Sequence, residues 1–349
     1  MDQPRILVIR RSYLGDVVLL GSFLRNLRLH WPQAHLAVAV DAAYADALAL
    51  NPDVNATLTL PWHLAQWPGF LRALRRRPRW THVFNFDNTE RTALVARLTG
   101  APFRLALHHG GYPVRLRAAY THVVNDPNEQ HESHPITEYY LRALPAAGVP
   151  VASREVRLVP RETDLADLRR VVGAFGPVLV VHPGSRSPAR VWPAERFAAL
   201  CDRAQEELAA QVVLVGGPGD AALLAEIRRL AKTHLLTLPQ APSLPRFAAL
   251  ARLAAVVLCH DSGPMHVAAA VGTRVVALYG SQNSVLFQPA GAGHLLLQPS
   301  LPCAGACVAP GECVPGDSYR TFCVRRLTLD EVFSGVKAQL ARAASRLDG

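Results

Sequence analysis

The sequence predicts an α/β protein with two domains, each built around a parallel sheet. Strand-like and helix-like segments alternate from one end of the chain to the other, which is typical of parallel sheets with helical connections. The alternation falls into two similar series that meet near residue 160. The chain has 349 residues, and domains of about 150 residues are usual, so the length also favours two domains.

The first series opens with a buried strand predicted at 5–10. A helix is predicted at 16–31, because its apolar residues recur at three- and four-residue spacings before Pro32 ends it. A segment at 108–135 contains several Gly and Pro residues and is predicted to be irregular. The other predicted elements of this series are strands at 35–40, 57–60 and 81–86 and helices at 64–76, 88–99 and 136–147.

The second series follows a predicted linker at 150–160. Its predicted elements are strands at 178–182, 211–215, 235–238, 255–259 and 274–279 and helices at 193–208, 220–231, 243–253, from 263 onward and at 328–346. Thr328 and Glu331 have the spacing of a capping box at the start of the last helix. We therefore expect a first domain at 1–160, a second at 161–326, and a terminal helix at 327–349 that packs back toward the first domain.

Arginine dominates the charge of the chain. The formal net charge is +10, and only Lys232 and Lys337 among the 37 basic residues are lysines. Guanidinium groups bind phosphate and carboxylate bidentately, so the charge fits an anionic partner, although a general compositional bias toward Arg explains it equally well. The basic residues are scattered rather than interleaved with aromatic residues, which argues against nucleic acid. One basic run at 72–79 is either a solvated helix end or a patch that contacts lipid phosphates at a membrane.

Missing motifs exclude several classes of protein. No apolar run approaches the roughly 18 residues of a membrane span, and the apolar run after Arg5 is too short for a secretory signal, so we expect a cytoplasmic protein. The glycines at 216–219 do not match the glycine pattern of dinucleotide-binding loops. The chain also has neither the phosphate-binding loop of the NTPases nor the serine elbow of the α/β-hydrolases.

Four of the six cysteines lie close together near the end of the chain, at Cys303, Cys307, Cys313 and Cys323. In a reducing compartment such a cluster indicates a metal or redox site before it indicates disulfides. The spacing is looser than that of paired zinc-binding cysteines, so zinc, an iron–sulfur centre and no metal at all remain open. We expect any bound metal to be structural.

Three loops that follow predicted strands carry polar residues, and ligands bind at the carboxyl ends of strands in open parallel sheets. In the first loop, Asp16 follows Gly15 at a predicted helix start, where the helix dipole stabilises a carboxylate. Asp16 is therefore either a catalytic carboxylate or a simple helix cap.

The other two loops have the composition of anion sites. The loop after the strand at 178–182 holds Ser185, Arg186 and Arg190 just before a helix start, and it is either an anion cradle or a solvated polar loop. The loop after the strand at 255–259 is more specific. It leads from Asp261 through small residues into a predicted helix that also carries His266, an arrangement suited to a diphosphate.

Together these segments resemble glycosyltransferase family 9, the ADP-heptose:lipopolysaccharide heptosyltransferases. The resemblance covers nearly the whole chain, and the matching segments lie at 5–10, 14–16, 181–185, 190–193, 213–217, 260–266 and 275–280. It implies a GT-B fold, in which two Rossmann-like domains face each other across a cleft. The N-terminal domain would bind the acceptor sugar and the C-terminal domain the nucleotide-sugar donor.

Site residues follow from the resemblance position by position. Asp16 matches the general base, and Arg190 stands where the family usually has Lys and would contact the diphosphate of the donor. The remaining positions that the resemblance assigns to donor or phosphate binding are Ser185, Asp220, Asp261, Ser262, Gly263 and His266. We add Arg186 because of the composition of its loop. The exchange of Lys for Arg at 190 keeps the charge but changes the geometry of the contact.

The resemblance implies an inverting glycosyltransferase that transfers heptose from ADP-heptose to a lipopolysaccharide core acceptor without a catalytic metal. The expected partners are a nucleotide sugar and a phosphorylated glycolipid, with contact to the inner-membrane surface, no nucleic acid and a monomeric chain. Three alternatives stay open: a GT-B enzyme with another nucleotide-sugar donor, a metal or redox protein built on the four cysteines, and a non-catalytic sugar-binding relative.

Overall fold

The structure is a computed structural model that describes residues 3–75, 78–110, 113–127, 132–173, 176–186, 190–280, 282–299 and 321–345. The chain divides into two compact units, Met1–Val159 and Pro160–Gly349. Each unit contains one six-stranded sheet, and every pair of neighbouring strands is parallel. The predicted α/β class is therefore confirmed.

The first unit has the strand order β3-β2-β1-β4-β5-β6. Its strands are β1 (Arg5–Ile9), β2 (His35–Val40), β3 (Ala56–Thr59), β4 (His82–Asn85), β5 (Phe103–His109) and β6 (His122–Asp126). The central strand β1 pairs with β2 and β4, and its apolar residues Ile6 to Ile9 are fully buried. Such a continuous apolar run is what a strand covered on both faces requires.

Helices connect these strands. They are α1 (Leu14–Leu19), α2 (Gly21–His30), α3 (Ala45–Ala49), α4 (Trp67–Leu74), α5 (Glu90–Leu98) and α6 (Ile136–Leu141), with 3₁₀ turns at Ala42–Tyr44, Leu64–Gln66, Arg117–Ala119 and Pro145–Ala147. The helix predicted at 16–31 starts two residues earlier, at Leu14, and Leu20 separates it into α1 and α2. Asp16 thus lies inside the first turn of α1 rather than ahead of it.

The second unit repeats the topology of the first, with the strand order β12-β11-β10-β7-β8-β9. Its strands are β7 (Val178–His182), β8 (Gln211–Leu214), β9 (Leu236–Thr237), β10 (Val256–His260), β11 (Arg274–Leu278) and β12 (Leu295–Leu297). Its helices are α7 (Glu162–Val172), α8 (Ala194–Leu208), α9 (Ala221–Leu230), α10 (Leu244–Leu253), α11 (Gly263–Ala270) and α12 (Leu329–Ala344), with 3₁₀ turns at Pro218–Asp220 and Thr321–Arg326.

The terminal helix α12 is part of the second unit. Val332, Val336 and Leu340 lie in the same buried apolar cluster as Val276 of β11. The predicted capping box is confirmed, because the Thr328 side chain accepts a hydrogen bond from the backbone N–H of Glu331. The apolar stripe of this helix is buried against the second sheet. Packing of the helix toward the first domain stays a prediction.

Five elements were not predicted. Strands β5 and β6 lie in or next to the segment expected to be irregular, and β12 follows β11 at the sheet edge. Helix α3 lies between β2 and β3, and α7 begins just after the expected linker. Both β6 and β12 pair on one side only. A strand at the edge of a sheet forms mainly because it pairs with its neighbour, and its own residues need not show a strong strand pattern. Such strands are therefore difficult to predict from the sequence. Among the described residues, no helix combines the length and apolarity that a membrane crossing requires.

Candidate functional site

The shared strand order places a ligand-binding position in each sheet. In the first sheet, the chain runs from β1 outward to β2 and β3, then returns to β4 on the other side of β1 and continues to the opposite edge. The order of strands therefore reverses between β1 and β4, and in the same way between β7 and β10. In open parallel sheets, ligands bind outside the carboxyl ends of the strands at such a point. Two of the three loops singled out in the sequence follow β7 and β10, and the other follows β1.

Asp16 is held by three hydrogen-bond donors in the first unit. Its Oδ1 accepts from the guanidinium of Arg10 at 2.8 Å and from the hydroxyl of Tyr140 at 3.1 Å. Its Oδ2 accepts from the backbone N–H of Tyr13 at 3.2 Å, as a residue in the first turn of a helix commonly does. The side chain remains 17% exposed, so the carboxylate is oriented by the protein and still reachable from solvent.

Arg10 links Asp16 to a second carboxylate, that of Asp87. One guanidinium nitrogen of Arg10 lies 3.2 Å from Asp87 Oδ1 and also donates to the carbonyl of Phe86 at 3.1 Å. Burial alone would lower the pKa of Arg10, but the negative charges of Asp16 and Asp87 raise it well above its ordinary value. Arg10 is therefore a permanent cation between two carboxylates.

Sequence reasoning missed Asp87, although the residue follows strand β4 directly. Its other carboxylate oxygen accepts a hydrogen bond from the backbone N–H of Arg11, and its own N–H donates to Asn85 Oδ1 at 3.0 Å. Burial raises the pKa of Asp87, while Arg10 and Arg11 oppose that shift. The position of Asp87 could have identified it, because β4 pairs with β1 in parallel and a carboxylate just after β4 lies near the loop after β1.

Tyr140 was also missed. Its side chain is fully buried, and the guanidinium carbon of Arg10 lies 5.9 Å from the centre of its ring. Burial raises the pKa of Tyr140 well above its ordinary value, the charge of Asp16 raises it further, and Arg10 opposes the shift. Tyr140 is therefore a neutral donor to Asp16, contributed by helix α6 far along the chain.

In the second unit, Gly184 and Asp220 lie directly against each other. A Cβ atom on Gly184 would sit 2.1 Å from an oxygen of the Asp220 carboxylate, so only glycine fits there. That carboxylate accepts from the backbone N–H of Gly217 at 2.7 Å. The loops after β7 and β8 therefore approach each other closely at the position where the resemblance located a nucleotide contact. The negative charge of Asp220 also counteracts the burial that lowers the pKa of His182.

His260, at the end of β10, holds the loop that carries Arg190. Its Nε2 accepts from the backbone N–H of Trp192 at 2.9 Å, so the neutral ring carries its proton on Nδ1. Burial and the neighbouring His182 lower the pKa of His260 to about 3. The indole N–H of Trp192 donates to the carbonyl of Leu327 at 2.8 Å, which secures the other side of the same residue.

Asp261 follows His260 and lies in the electrostatic field of Arg190. Burial raises the pKa of Asp261 to about 6, and the positive charge of Arg190 opposes that shift. Ser262 donates from its hydroxyl to the carbonyl of His260 at 3.1 Å and is the N-cap residue of α11, which begins at Gly263. The positive end of the dipole of this helix therefore lies at the loop.

The structure brings the remaining predicted donor residues to the same loops. Ser185 and Arg190 are partly exposed and Arg186 is exposed after β7, while His266 is buried in α11. Residues 187–189 of this loop lie outside the described part of the chain. Of the predicted set, Asp261, Ser262, Gly263 and His266 share one strand-to-helix turn, and Asp220 belongs to the neighbouring β8 loop.

The proposed metal or redox site of four cysteines lies outside the described residues. Cys303, Cys307 and Cys313 lie beyond the described residues, and of Cys323 only the backbone is described, within the 3₁₀ turn Thr321–Arg326. Within the described ranges, no group of three or more His, Cys, Asp or Glu side chains is arranged to hold a metal ion. The remaining cysteines, Cys201 and Cys259, are buried free thiols whose pKa values are raised by burial.

Comparison with known proteins identifies the family to which the chain is similar. The model of glycosyltransferase family 9 (heptosyltransferase) matches residues 69–305. Lipopolysaccharide heptosyltransferase 2 of Escherichia coli K12 is 27% identical over 299 residues, which cover 80% of this chain and 83% of that protein.

Two solved structures are similar over almost their full length. The crystal structure of a family 9 glycosyltransferase from Veillonella parvula has a TM-score of 0.84 at 22% identity and covers 98% of both chains. The ADP-heptose lipopolysaccharide heptosyltransferase II of E. coli has a TM-score of 0.77 at 24% identity and covers 97% of this chain and 99% of its own. These likenesses confirm the GT-B class. Since the family model matches more than half of the sequence, this chain belongs to glycosyltransferase family 9 and is a glycosyltransferase.

Proposed function

We propose that this protein is an inverting heptosyltransferase that moves heptose from ADP-heptose to a lipopolysaccharide core acceptor. The observation that carries the proposal is the Asp16 carboxylate, which is oriented by Arg10 and Tyr140 and still partly exposed at the carboxyl edge of the first sheet. The sequence match to lipopolysaccharide heptosyltransferase 2 and the family model support the choice of sugar and acceptor.

In the proposed step, Asp16 accepts the proton of an acceptor hydroxyl as that oxygen bonds to the anomeric carbon of the donor sugar. The bond from the anomeric carbon to the diphosphate breaks at the same time, and its electron pair leaves with ADP. Attack from the side opposite the leaving group inverts the configuration. Arg10 and Tyr140 keep the carboxylate in one orientation, so that its second oxygen is available to the hydroxyl.

The departing diphosphate gains negative charge, which the second unit is equipped to stabilise. We assign this role to Arg190, to the N-terminal turn of α11 with its N-cap residue Ser262 and first residue Gly263, and to the hydroxyl of Ser185. Arg186 and His266 complete the proposed donor site. Asp220 and Asp261 would contact the nucleotide sugar through hydroxyl groups, since a carboxylate would repel the phosphates.

The decisive experiment offers the purified protein ADP-heptose and a heptose-free lipopolysaccharide core acceptor. We expect release of ADP and a mass gain of one heptosyl unit on the acceptor, observed by mass spectrometry. Parallel reactions contain ADP-glucose, UDP-glucose or GDP-mannose. Efficient transfer from one of these, with none from ADP-heptose, would replace the proposed donor by the second candidate, a GT-B enzyme with another nucleotide sugar.

We further propose that the monomeric protein works in the cytoplasm at the inner-membrane surface, where a phosphorylated glycolipid acceptor would be found. The net charge of +10 and the basic run at 72–79 support attraction to anionic lipid. Co-sedimentation with vesicles tests this directly. Binding to vesicles that contain phosphatidylglycerol but not to phosphatidylcholine vesicles is expected at low salt, and equal recovery with both would contradict the proposal.

A structural metal at the four cysteines is a separate proposal that rests on their spacing in the sequence. No step above depends on it, because Arg190 and the helix N-terminus supply positive charge to the leaving group. Elemental analysis of the purified protein, compared with a Cys303→Ser and Cys307→Ser double variant, tests the hypothesis. Stoichiometric zinc or iron that disappears in the double variant is the expected result, and a metal-free wild-type protein would contradict it.

A further inference from the structure

The first unit carries an exposed tryptophan at the same sheet edge as Asp16. Trp62 is 59% exposed, although large aromatic side chains normally bury most of their surface. It follows strand β3 and lies outside the buried apolar cluster of this unit. This exposure leaves part of the indole surface accessible to a ligand.

The backbone around Trp62 is fixed. The side chain of Gln66 accepts hydrogen bonds from the N–H of Trp62 at 2.7 Å and from that of His63 at 3.2 Å. The guanidinium of Arg91 donates to the carbonyl of Pro61 at 3.1 Å. The loop that carries the indole is thus held by hydrogen bonds. Binding of a ligand would therefore spend little free energy on ordering this loop.

Two guanidinium groups flank the indole. The central carbons of Arg91 and Arg11 lie 4.6 and 5.6 Å from the centre of the Trp62 ring. Both arginines also pair with the carboxylate of Asp41, at 3.4 and 3.9 Å. Within the described structure, Nε of Arg11 is buried and has no hydrogen-bond partner.

The position of this group relates it to the candidate base. Arg11, Asp41 and Trp62 follow the neighbouring strands β1, β2 and β3, and Arg91 lies in the first turn of α5 after β4. Asp87 accepts from the backbone N–H of Arg11, the residue next to Arg10 of the Asp16 network. The indole therefore belongs to the same carboxyl edge as the base.

We propose that Trp62, Arg11 and Arg91 form a subsite for an anionic sugar, in which the C–H face of the sugar ring packs on the indole and its phosphate or carboxylate pairs with the guanidinium groups. The apolar face of a sugar ring suits an aromatic surface, and guanidinium groups bind oxyanions bidentately. This inference rests on the proposed function and deepens it, because it names the class of acceptor residue that the first unit recognises.

A binding experiment tests the subsite without any transfer reaction. The chain has five tryptophans, so a ¹H–¹⁵N spectrum of the full-length protein shows few indole signals, and the signal lost in Trp62→Phe identifies Trp62. The protein is titrated with glucose 6-phosphate, glucuronate, glucose and inorganic phosphate. We expect saturable shifts of the Trp62 signal with the two anionic sugars, and weaker shifts with glucose or phosphate alone. Comparing the two anionic sugars distinguishes a phosphate from a carboxylate preference.

Two internal controls accompany the titration. Trp80 also has an arginine over its ring, that of Arg5 at 4.4 Å, but it is buried, so its signal should stay in place. Arg11→Gln and Arg91→Gln should each weaken binding about tenfold through loss of a charged contact. Arg229→Gln removes the same charge from an exposed pair with Glu226 in the second unit and should leave binding unchanged.

Some results would overturn the proposal. These are a Trp62 signal that does not shift on titration, one that shifts as much with glucose as with the anionic sugars, or one that shifts together with the Trp80 signal.

The transfer assay provides a second test. Trp62→Ala should raise the acceptor KM about tenfold with little change in kcat or donor KM. If ADP-heptose is not a donor but Trp62 still binds anionic sugars, the proposed function fails and the subsite stands. If transfer proceeds with an unchanged acceptor KM in Trp62→Ala, the subsite fails alone.

Discussion

The two sheet edges have the same topology and opposite electrostatics. At the edge of the first sheet, Arg10 stands between the carboxylates of Asp16 and Asp87, and these charges stabilise each other. At the edge of the second sheet, burial keeps the imidazole of His260 neutral and raises the pKa of Asp261 to about 6. The first edge holds its charged groups in one network of ion pairs, whereas at the second edge burial disfavours the charged forms of both His260 and Asp261.

This difference matches the two tasks of glycosyl transfer. The proposed general base must be oriented before the substrate arrives, and Arg10 and Tyr140 orient the carboxylate of Asp16. The proposed donor site must leave positive charge for an incoming diphosphate, which Arg190 and the N-terminus of α11 would supply. The two sheets therefore share one strand order, and the residues on their loops fit the first sheet to proton transfer and the second to donor binding in the proposed reaction.

The largest effect is expected for Asp16→Asn, which removes the base and keeps the shape of the side chain. Turnover should fall by about a hundredfold or more, because an amide cannot accept the hydroxyl proton. Affinity for ADP, measured by calorimetry, should change by less than about twofold, since the second unit is untouched. Steady-state ADP release measures turnover.

A matched control for Asp16→Asn is Asp330→Asn, which alters an exposed carboxylate paired with Arg203 in the second unit. Its turnover should equal that of the wild-type protein. Turnover of Asp16→Asn close to the wild-type value would show that the charged network of the first edge is structural, and that the base must be sought elsewhere.

Arg190→Ala tests whether the second edge stabilises phosphate. We expect ADP to bind about ten- to a hundredfold more weakly, because a charge-assisted contact to an oxyanion is lost. Arg190→Lys should recover part of the affinity, since it restores the charge but not the bidentate geometry. Calorimetry with ADP provides the measurement, with Arg229→Ala as the control, and unchanged affinity in Arg190→Ala would contradict the assignment.

Substitutions of His260 test whether its neutral imidazole positions the loop that carries Arg190. His260→Leu leaves the buried N–H of Trp192 without an acceptor, which should cost about 1–3 kcal/mol in the free energy of unfolding. ADP affinity should fall about tenfold, because Arg190 lies two residues before Trp192. His260→Gln offers an amide oxygen and should restore most of both quantities. Equal behaviour of the Leu and Gln variants would argue against a positioning role.

The smallest effect concerns the pH dependence of stability at Asp261. Its pKa is about 6 in the folded protein against an ordinary value of 3.8, so the folded state binds the proton more tightly than the unfolded state. The carboxyl therefore lowers stability as the pH rises from about 4 to 6, and the loss is complete above that range. Asp261→Asn should raise the free energy of unfolding by about 1–2 kcal/mol at pH 7.5 and by much less at pH 4.5.

Urea denaturation at the two pH values measures this difference, and Asp330→Asn again serves as the exposed control. A gain in Asp261→Asn that is the same at both pH values would show that the carboxyl is not destabilised by burial. The contrast between the two sheet edges would then be weaker than the structure indicates.

Much of the site was predictable because its residues lie in short segments with strong local constraints. Gly184 and Gly263 mark turns where a strand runs into a helix, and Asp261 and Ser262 directly follow a fully buried strand. Strands and helices of this kind have clear hydrophobic periods, so the loops between them can be located from the sequence. The edge strands β6 and β12 lacked such a period and were not predicted.

The sequence by itself determined the α/β class, the two series of elements and the loops that carry Asp16, Arg190 and Asp261. The tertiary structure alone decided which distant side chains meet those residues. Tyr140 reaches Asp16 across 124 positions, and Trp192 meets His260 across 68. Local periodicity reflects contacts within a few residues, whereas these pairs depend on strand order and helix docking, which bring together groups that no local pattern relates.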